Sequence, residues 1–403
     1  MKKLLRLFFC PFLFLVLLTS CTPDQDKPYV VMLSLDGFRW DYTDSVATPN
    51  FDYLAEHGVK AASLKPSFPT KTFPNHYSIA TGLYPDHHGI VANSFYDKTS
   101  GRKYRLSDRE AVEDGYFYGG EPIWVTAEKQ GLTAASYFWV GSEAPIQDIH
   151  PTYWKKYDHD FPFAQSIDSV ISWLKLPEEK RPQLVLFYNS EPDGMGHHEG
   201  PEATTMKEKI IYLDSLVGVF LEKSRQLSIA DNLNFILVSD HGMTALDSSR
   251  VIYLSDYIHP DWFERIEGYN PVYFFQPLPE YEDSARIAFQ AMEHATVWHK
   301  DSLPSKWHYG TNHDRIEDYV LVADNGWQVR FNHKSRLSNG DHGYDNDFKD
   351  MHGIFYAMGP AFKEAYLHPT FENVHIYNLI SHILHLAPAP NDGKLETVKK
   401  VLK

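Results

Sequence analysis

Three apolar runs in this chain lead into an aspartate, and no other feature limits its fold as much. Tyr29-Val-Val-Met-Leu-Ser-Leu35 runs into Asp36-Gly37. Gln183-Leu-Val-Leu-Phe-Tyr188 is followed by Asn-Ser-Glu-Pro-Asp193, and Asn234-Phe-Ile-Leu-Val-Ser239 runs into Asp240-His241-Gly242. Such runs read as strands of a largely parallel, buried sheet. In an open α/β sheet the ligand crevice lies beyond the carboxyl ends of the strands. Three carboxylates delivered there repel one another unless a cation sits between them. A single Asp-Gly after a strand is an ordinary turn. Three such ends, two of them accompanied by histidine, point to a site.

Helical periods separate the strands. Thr48 and Pro49 open a helix that Gly58 is expected to close. Ile167, Val170, Ile171 and Leu174 repeat at helical spacing, as do Ile210, Leu213, Leu216 and Phe220. Ile354 to Met358 reads as a further strand, and Ile376, Leu379, Ile380 and Ile383 mark a closing helix. The alternation predicts an α/β sandwich. Between Met243 and Leu337 the pattern is irregular and rich in Tyr, Trp and Pro, so this stretch is expected to supply insertions and part of a substrate rim.

The N-terminus reads as an export signal. Lys2, Lys3 and Arg6 precede an apolar run from Leu7 to Leu18 that is short for a membrane span. Leu18-Thr19-Ser20-Cys21 resembles a bacterial lipobox, with an ordinary secretory cut nearby as the alternative. The expected organisation is a signal peptide over 1–20, a lipidated tether over 21–27 and one catalytic domain over 28–403. Cys21 would then anchor an exported lipoprotein on the periplasmic or cell-surface side of an outer membrane. Cys10 leaves with the signal, so the mature chain has no cysteine pair for a disulfide. Any metal is held by His, Asp, Glu or hydroxyl oxygen.

The full chain carries 38 basic and 53 acidic residues. Loss of Lys2, Lys3 and Arg6 leaves 35 against 53, a formal charge of −18. That argues against binding a nucleic-acid duplex, which needs a basic face. Small anionic substrates stay open, because bound divalent cations dominate the field locally. Nothing in the sequence demands more than a monomer.

Histidines sharpen the site. Asp193-Gly-Met-Gly-His197 sets a carboxylate and an imidazole four residues apart. Asp240 and His241 are adjacent, and Asn339-Gly-Asp-His342-Gly adds a third histidine in a glycine-rich loop. Mixed His and Asp ligation without thiolate suits catalytic zinc. Any one of the 21 histidines taken alone is more readily a surface or core residue. The candidate nucleophile lies in Pro69-Thr70-Lys71-Thr72-Phe73-Pro74-Asn75-His76. A threonine hydroxyl needs activation, which a metal on its oxygen supplies. Thr70 competes with Thr72, and either hydroxyl could simply cap a turn.

Phe68-Pro-Thr-Lys-Thr-Phe-Pro-Asn-His-Tyr-Ser and Thr81-Gly-Leu-Tyr-Pro-Asp-His-His-Gly-Ile90 resemble the nucleophile region of the ectonucleotide pyrophosphatase/phosphodiesterase family, within the alkaline phosphatase superfamily. Gly120-Glu-Pro-Ile-Trp124, Glu191-Pro-Asp193, Gly196-His197, Ser239-Asp-His-Gly-Met243 and His342-Gly-Tyr-Asp-Asn346 continue the likeness in order. It covers nearly the whole chain from Tyr29 onward. The resemblance implies an alkaline-phosphatase-like α/β/α sandwich and two zinc ions. Asp36, Thr72, Asp240 and His241 would hold one, and Asp193, His197 and His342 the other. Thr72 would be the nucleophile, and Asn93 would stabilise transition-state oxygens. Ala92 stands where the family commonly has aspartate, and Met195 where it has a small serine. Phe73, Leu106, Tyr157 and Tyr188 match positions around the base in nucleotide-hydrolysing relatives, although aromatics in a chain with 25 Tyr and 25 Phe are commonly core. The implied reaction cleaves nucleotide phosphodiester and pyrophosphate bonds through a phospho-threonine. The alternatives, in order, are a phospholipid or choline-head-group phosphodiesterase, a phosphomonoesterase, and a silent nucleotide-binding lipoprotein.

Overall fold

The computed structural model describes residues 27–403. The expected signal peptide and Cys21, the expected lipidation site, lie outside the described residues, as does all of the expected tether except Lys27. Among the described residues no helix is long and apolar enough to cross a membrane.

An eight-stranded sheet forms the centre. Its order is Tyr366–His368, Val59–Ala61, Phe355–Met358, Leu233–Val238, Tyr29–Leu35, Leu184–Asn189, Ala134–Tyr137 and Tyr153–Lys155. All pairings are parallel except the two made by Phe355–Met358, which runs against both neighbours. Every residue of Tyr29–Leu35 is buried, which is why the run shows no polar alternation. Helices Pro49–Glu56, Phe163–Leu174 and Thr204–Arg225 pack together as one layer. There the Phe220 ring lies 4.7 Å from Phe235 and 5.7 Å from Phe187. Helices Thr72–Thr81, Ile123–Lys129 and Ile376–Ile383 form a second packed group. Because side chains alternate along a strand, Tyr188 points away from the Phe187 side and reaches His76 of that second group. The result is the α/β/α sandwich that the alternation of elements predicts.

Two local expectations differ. The helix Pro49–Glu56 begins at Thr48, but the Thr48 side chain accepts no capping bond. The cap comes from the neighbouring helix instead: Asp214 accepts from the N–H groups of Asn50 and Phe51, each at 3.0 Å. Gly58 does not close this helix, whose C-cap is His57. Gly58 is needed for close approach, since a Cβ there would lie 2.2 Å from the Ala357 carbonyl oxygen.

The stretch from Met243 to Leu337 is also more regular than its sequence suggests. Phe263–Tyr269, Val272–Pro277, Tyr319–Ala323 and Ala295–His299 form a four-stranded antiparallel sheet. Val272, Phe274, Val320 and Val322 join the main core, whereas Tyr273, Phe275, Tyr319 and Leu321 join a second core with Phe289. Strands buried on both faces lose the polar alternation that marks a half-exposed sheet, so the segment reads as irregular.

Candidate active site

The parallel register brings the three aspartate-bearing strand ends to one edge. Leu35 pairs with Asn189, and Ser34 with Val238. The Asp193 N–H donates to the Asp36 carbonyl oxygen at 3.0 Å. Gly37 allows this approach: its φ is 67°, and a Cβ would sit 2.9 Å from Asp193 Cα. Asp193 opens the helix Asp193–Glu199, so His197 falls one turn later on the same face. His342 arrives on the loop after Gly340–Asp341, which pairs antiparallel with Thr244–Ala245.

Two clusters result, Asp36 with Asp240 and His241, and Asp193 with His197 and His342. Within each, the potential ligand atoms lie within 4.8 Å of one another. His241 Nε2 is 3.0 Å from Asp240 Oδ2 and 3.3 Å from Asp36 Oδ1. His197 Nε2 and His342 Nε2 are each 3.5 Å from Asp193 Oδ1. The clusters touch through the His241 and His342 rings, stacked with centroids 3.5 Å apart.

Both clusters are built for cations. Asp36 Oδ1, Asp193 Oδ1 and Asp240 Oδ2 are buried and accept no hydrogen bond among the described residues. The imidazoles are oriented from behind. His197 Nδ1 donates to the Gly340 carbonyl at 2.9 Å, His241 Nδ1 to Gly242 at 2.8 Å and His342 Nδ1 to Thr70 at 2.7 Å. A carbonyl only accepts, so each Nδ1 carries hydrogen and each Nε2 is turned to the centre. That is the arrangement by which backbone oxygens fix metal-binding imidazoles. Electrostatics agree. Burial first, and then the like charges of Asp240 and Asp193, push the Asp36 carboxyl up to about 7. Burial also opposes ionisation of Asp240, but His241 and His76 outweigh it and hold that carboxyl well below the usual range. Burial lowers His241, yet Asp240 and Asp36 overcome it and raise the imidazole well above its ordinary value. The pocket lacks positive charge, a deficit met by a proton on His241 or by a cation.

Thr72 is the first residue of the helix Thr72–Thr81, and its Oγ1 lies 3.2 Å from His241 Nε2. Thr70 is occupied elsewhere: its hydroxyl donates to the Tyr344 carbonyl at 3.2 Å and accepts from Gly343 N–H at 2.8 Å. Asn93 Oδ1 accepts the Phe73 N–H at 2.9 Å, which aims its amide nitrogen away from the helix end. His76, which the sequence reading did not single out for the site, lies behind Thr72. Its Nδ1 is 2.9 Å from the Thr72 carbonyl oxygen and 3.3 Å from Asp240 Oδ2, while its Nε2 shares a hydrogen bond with the Ser34 hydroxyl at 2.8 Å.

A cavity of about 300 Å³ opens from the clusters. Thr72, Phe73, Asn93, Leu106, Tyr157 and Tyr188 all line it, with Asp36, Asp193, His197 and His342. Asp240 and His241 sit behind it. The Tyr188 ring faces the cavity, but its hydroxyl donates to Asp36 Oδ2 at 2.6 Å, so it also braces a cluster. Several cavity residues escaped the sequence reading. Arg109 and Glu143 form an ion pair in its wall, and Tyr269 enters from the hairpin of the second sheet. No local pattern marks them; only the fold brings them in.

Comparisons with known proteins agree with this fold. The family model for type I phosphodiesterase / nucleotide pyrophosphatase matches residues 30–345. The chain is 34% identical to human ectonucleotide pyrophosphatase/phosphodiesterase family member 5 over 95% of its length and 79% of that protein. It is 36% identical to bovine family member 3 over 95% of this chain, but spans only 45% of that longer relative. Murine ectonucleotide pyrophosphatase / phosphodiesterase 5, solved as an inactive variant in complex with AMP, superposes with a TM-score of 0.90 at 33% identity, covering 94% of this chain and 100% of that one. With its strand-end carboxylates, its imidazoles and its helix-borne Thr72 assembled on this sheet, the chain belongs to the type I phosphodiesterase/nucleotide pyrophosphatase family of hydrolases, in the alkaline phosphatase superfamily.

Proposed function

We propose that this chain is a two-zinc phosphodiesterase that cleaves nucleotide phosphodiester and pyrophosphate bonds and releases nucleoside 5′-monophosphates. The observation that carries this reading is the Thr72 hydroxyl, at a helix N-terminus and 3.2 Å from His241 Nε2, beside two clusters with orphaned carboxylate oxygens. Asp36, Asp240, His241 and the Thr72 oxygen form one zinc site, and Asp193, His197 and His342 the other. Bound zinc supplies Lewis-acid activation of the hydroxyl and neutralises charge on the leaving oxygen.

The chain's own residues do the rest. Thr72 Oγ1 loses its proton to water and bonds to phosphorus as the bond from phosphorus to the leaving oxygen breaks. The Asn93 amide and the Thr72 backbone N–H donate to a non-bridging oxygen. A water then attacks phosphorus, the phosphorus–Thr72 bond breaks, and Thr72 regains a proton as the monophosphate departs. Phe73, Leu106, Tyr157 and the Tyr188 ring give the base an apolar slot, where aromatic contact is worth about 1–3 kcal/mol. AMP bound to the murine relative supports a nucleotide substrate.

Nitrophenol release from nitrophenyl thymidine monophosphate, nitrophenyl phosphate and nitrophenyl phosphocholine tests the reading, each with and without chelator and beside Thr72→Ala. Turnover of the thymidine diester is expected to dominate. It should fall more than about 10³-fold in Thr72→Ala, with zinc content retained. Preference for the phosphocholine ester or the monoester would keep the site and overturn the substrate. On the spelling of its first 21 residues, the protein is further read as an exported lipoprotein anchored through Cys21. Cys21→Ser should then move it from the membrane fraction to the soluble one, and an unmoved protein would sink that reading.

A further inference from the structure

A second groove of about 290 Å³ adjoins the catalytic cavity, and Asn93, Leu106 and Tyr269 line both. Its charge sets it apart from the cavity. The strand Arg102–Arg105 pairs with Ser94–Asp97, placing Arg105 opposite Ser94, one residue from Asn93. The Leu106 N–H donates to the Asn93 carbonyl at 3.0 Å and locks that register. Lys103 and Arg105, two residues apart, project from the same face of the strand, and both line the groove. Lys103 is neutralised by Glu267 at 2.6 Å. The Arg105 guanidinium makes no ion pair or side-chain hydrogen bond among the described residues. The groove therefore keeps one uncompensated, exposed cation beside Asn93, in a chain whose formal charge is −15. The cavity wall, by contrast, holds Asp36, Asp193 and Glu143 against Arg109 alone.

We infer that this groove is a subsite for the anionic leaving portion of a nucleoside polyphosphate, with Arg105 as its phosphate-reading residue. The inference rests on the nucleotide reading above. A substrate whose base occupies the apolar cavity and whose scissile phosphate meets Asn93 has its remaining phosphates to place. Outside the proposed zinc sites, the fixed cation of the cavity wall, Arg109, is already paired with Glu143, whereas the groove offers an unpaired guanidinium. A planar guanidinium binds phosphate oxygens in pairs, a geometry that a lysine ammonium does not match. Glu267 ties Lys103 and so leaves this task to Arg105.

The test uses the full zinc-loaded chain as wild type, Arg105→Ala and Arg105→Glu. Thymidine triphosphate and nitrophenyl thymidine monophosphate share a nucleoside and differ in leaving group. The ratio of their kcat/KM values is expected to fall about fivefold in Arg105→Ala and further in Arg105→Glu, with the loss shrinking at high salt. A ratio equal to wild type in both variants overturns the inference. If wild type turned over neither compound, the nucleotide reading would fail by itself. Calorimetric binding of inorganic pyrophosphate would then decide the groove: affinity about fivefold weaker in Arg105→Ala keeps it, and equal affinity in the two proteins removes it.

Discussion

The two carboxylate–imidazole clusters share ligand chemistry but not environment. Asp36, Asp240 and His241 are all buried, with the Asp240 and His241 side chains fully shielded. Asp193 and His197 are partly open, at 18% and 34% side-chain exposure, and only His342 is buried with them. The enclosed cluster lies against Thr72, and all three residues of the open one line the cavity. An enclosed site excludes water and sharpens electrostatics around the nucleophile, whereas an open one admits water and releases product. The asymmetry matches the division of labour between attack and departure in the proposed reaction.

The largest expected effect breaks the enclosed cluster. Asp240→Asn should lower turnover of the thymidine diester at least about 10³-fold, and His197→Asn in the open cluster only about 10–100-fold. Zinc per chain, measured beside turnover, should drop in both. Equal losses of turnover would remove the functional distinction between the clusters. A second measurement concerns the chelated protein at about pH 8, where Asp36, pushed up to about 7 by burial and by the like charges of Asp240 and Asp193, is ionised. Asp36→Asn should stabilise it by about 2 kcal/mol in denaturant unfolding, since it removes a buried charge that its surroundings disfavour. Asp193→Asn should give a smaller gain, because its carboxylate is partly solvated. A loss of stability in Asp36→Asn would show that the enclosed cluster is not under electrostatic strain. The smallest effect sharpens the comparison from behind. Tyr188→Phe removes the 2.6 Å bond to Asp36 but keeps the ring. Affinity for zinc should fall by about tenfold while the KM for the thymidine diester changes little. A raised KM with unchanged zinc affinity would put the Tyr188 hydroxyl to work on the substrate rather than on the cluster.

The candidate ligands were legible in the sequence because each sits in a local pattern, while their division into two clusters came from the family resemblance. Each aspartate sits at or just past the end of an apolar strand, and Asp193 and His197 are spaced by one helical turn. What was illegible is what surrounds them. His76 reads as one more histidine until the Thr72 helix packs against the sheet and sets it between Ser34 and Asp240. Tyr269 belongs to a stretch that reads as irregular because its strands serve two cores at once.

By itself the sequence determined which residues could meet. Continuous apolar runs require a buried sheet, a buried sheet of parallel strands gathers their carboxyl ends, and those ends carry Asp36, Asp193 and Asp240. Only the tertiary structure decided how they meet. It engaged the Thr70 hydroxyl with the His342 loop, left the Thr72 hydroxyl beside His241, and oriented each imidazole through a backbone carbonyl. It turned Phe355–Met358 against its neighbours, and it capped the helix Pro49–Glu56 from Asp214 rather than Thr48. The physical reason is range. Burial pattern and helical spacing are written into neighbouring residues, whereas a hydrogen-bond partner 164 or 272 positions away exists only once the chain has closed on itself.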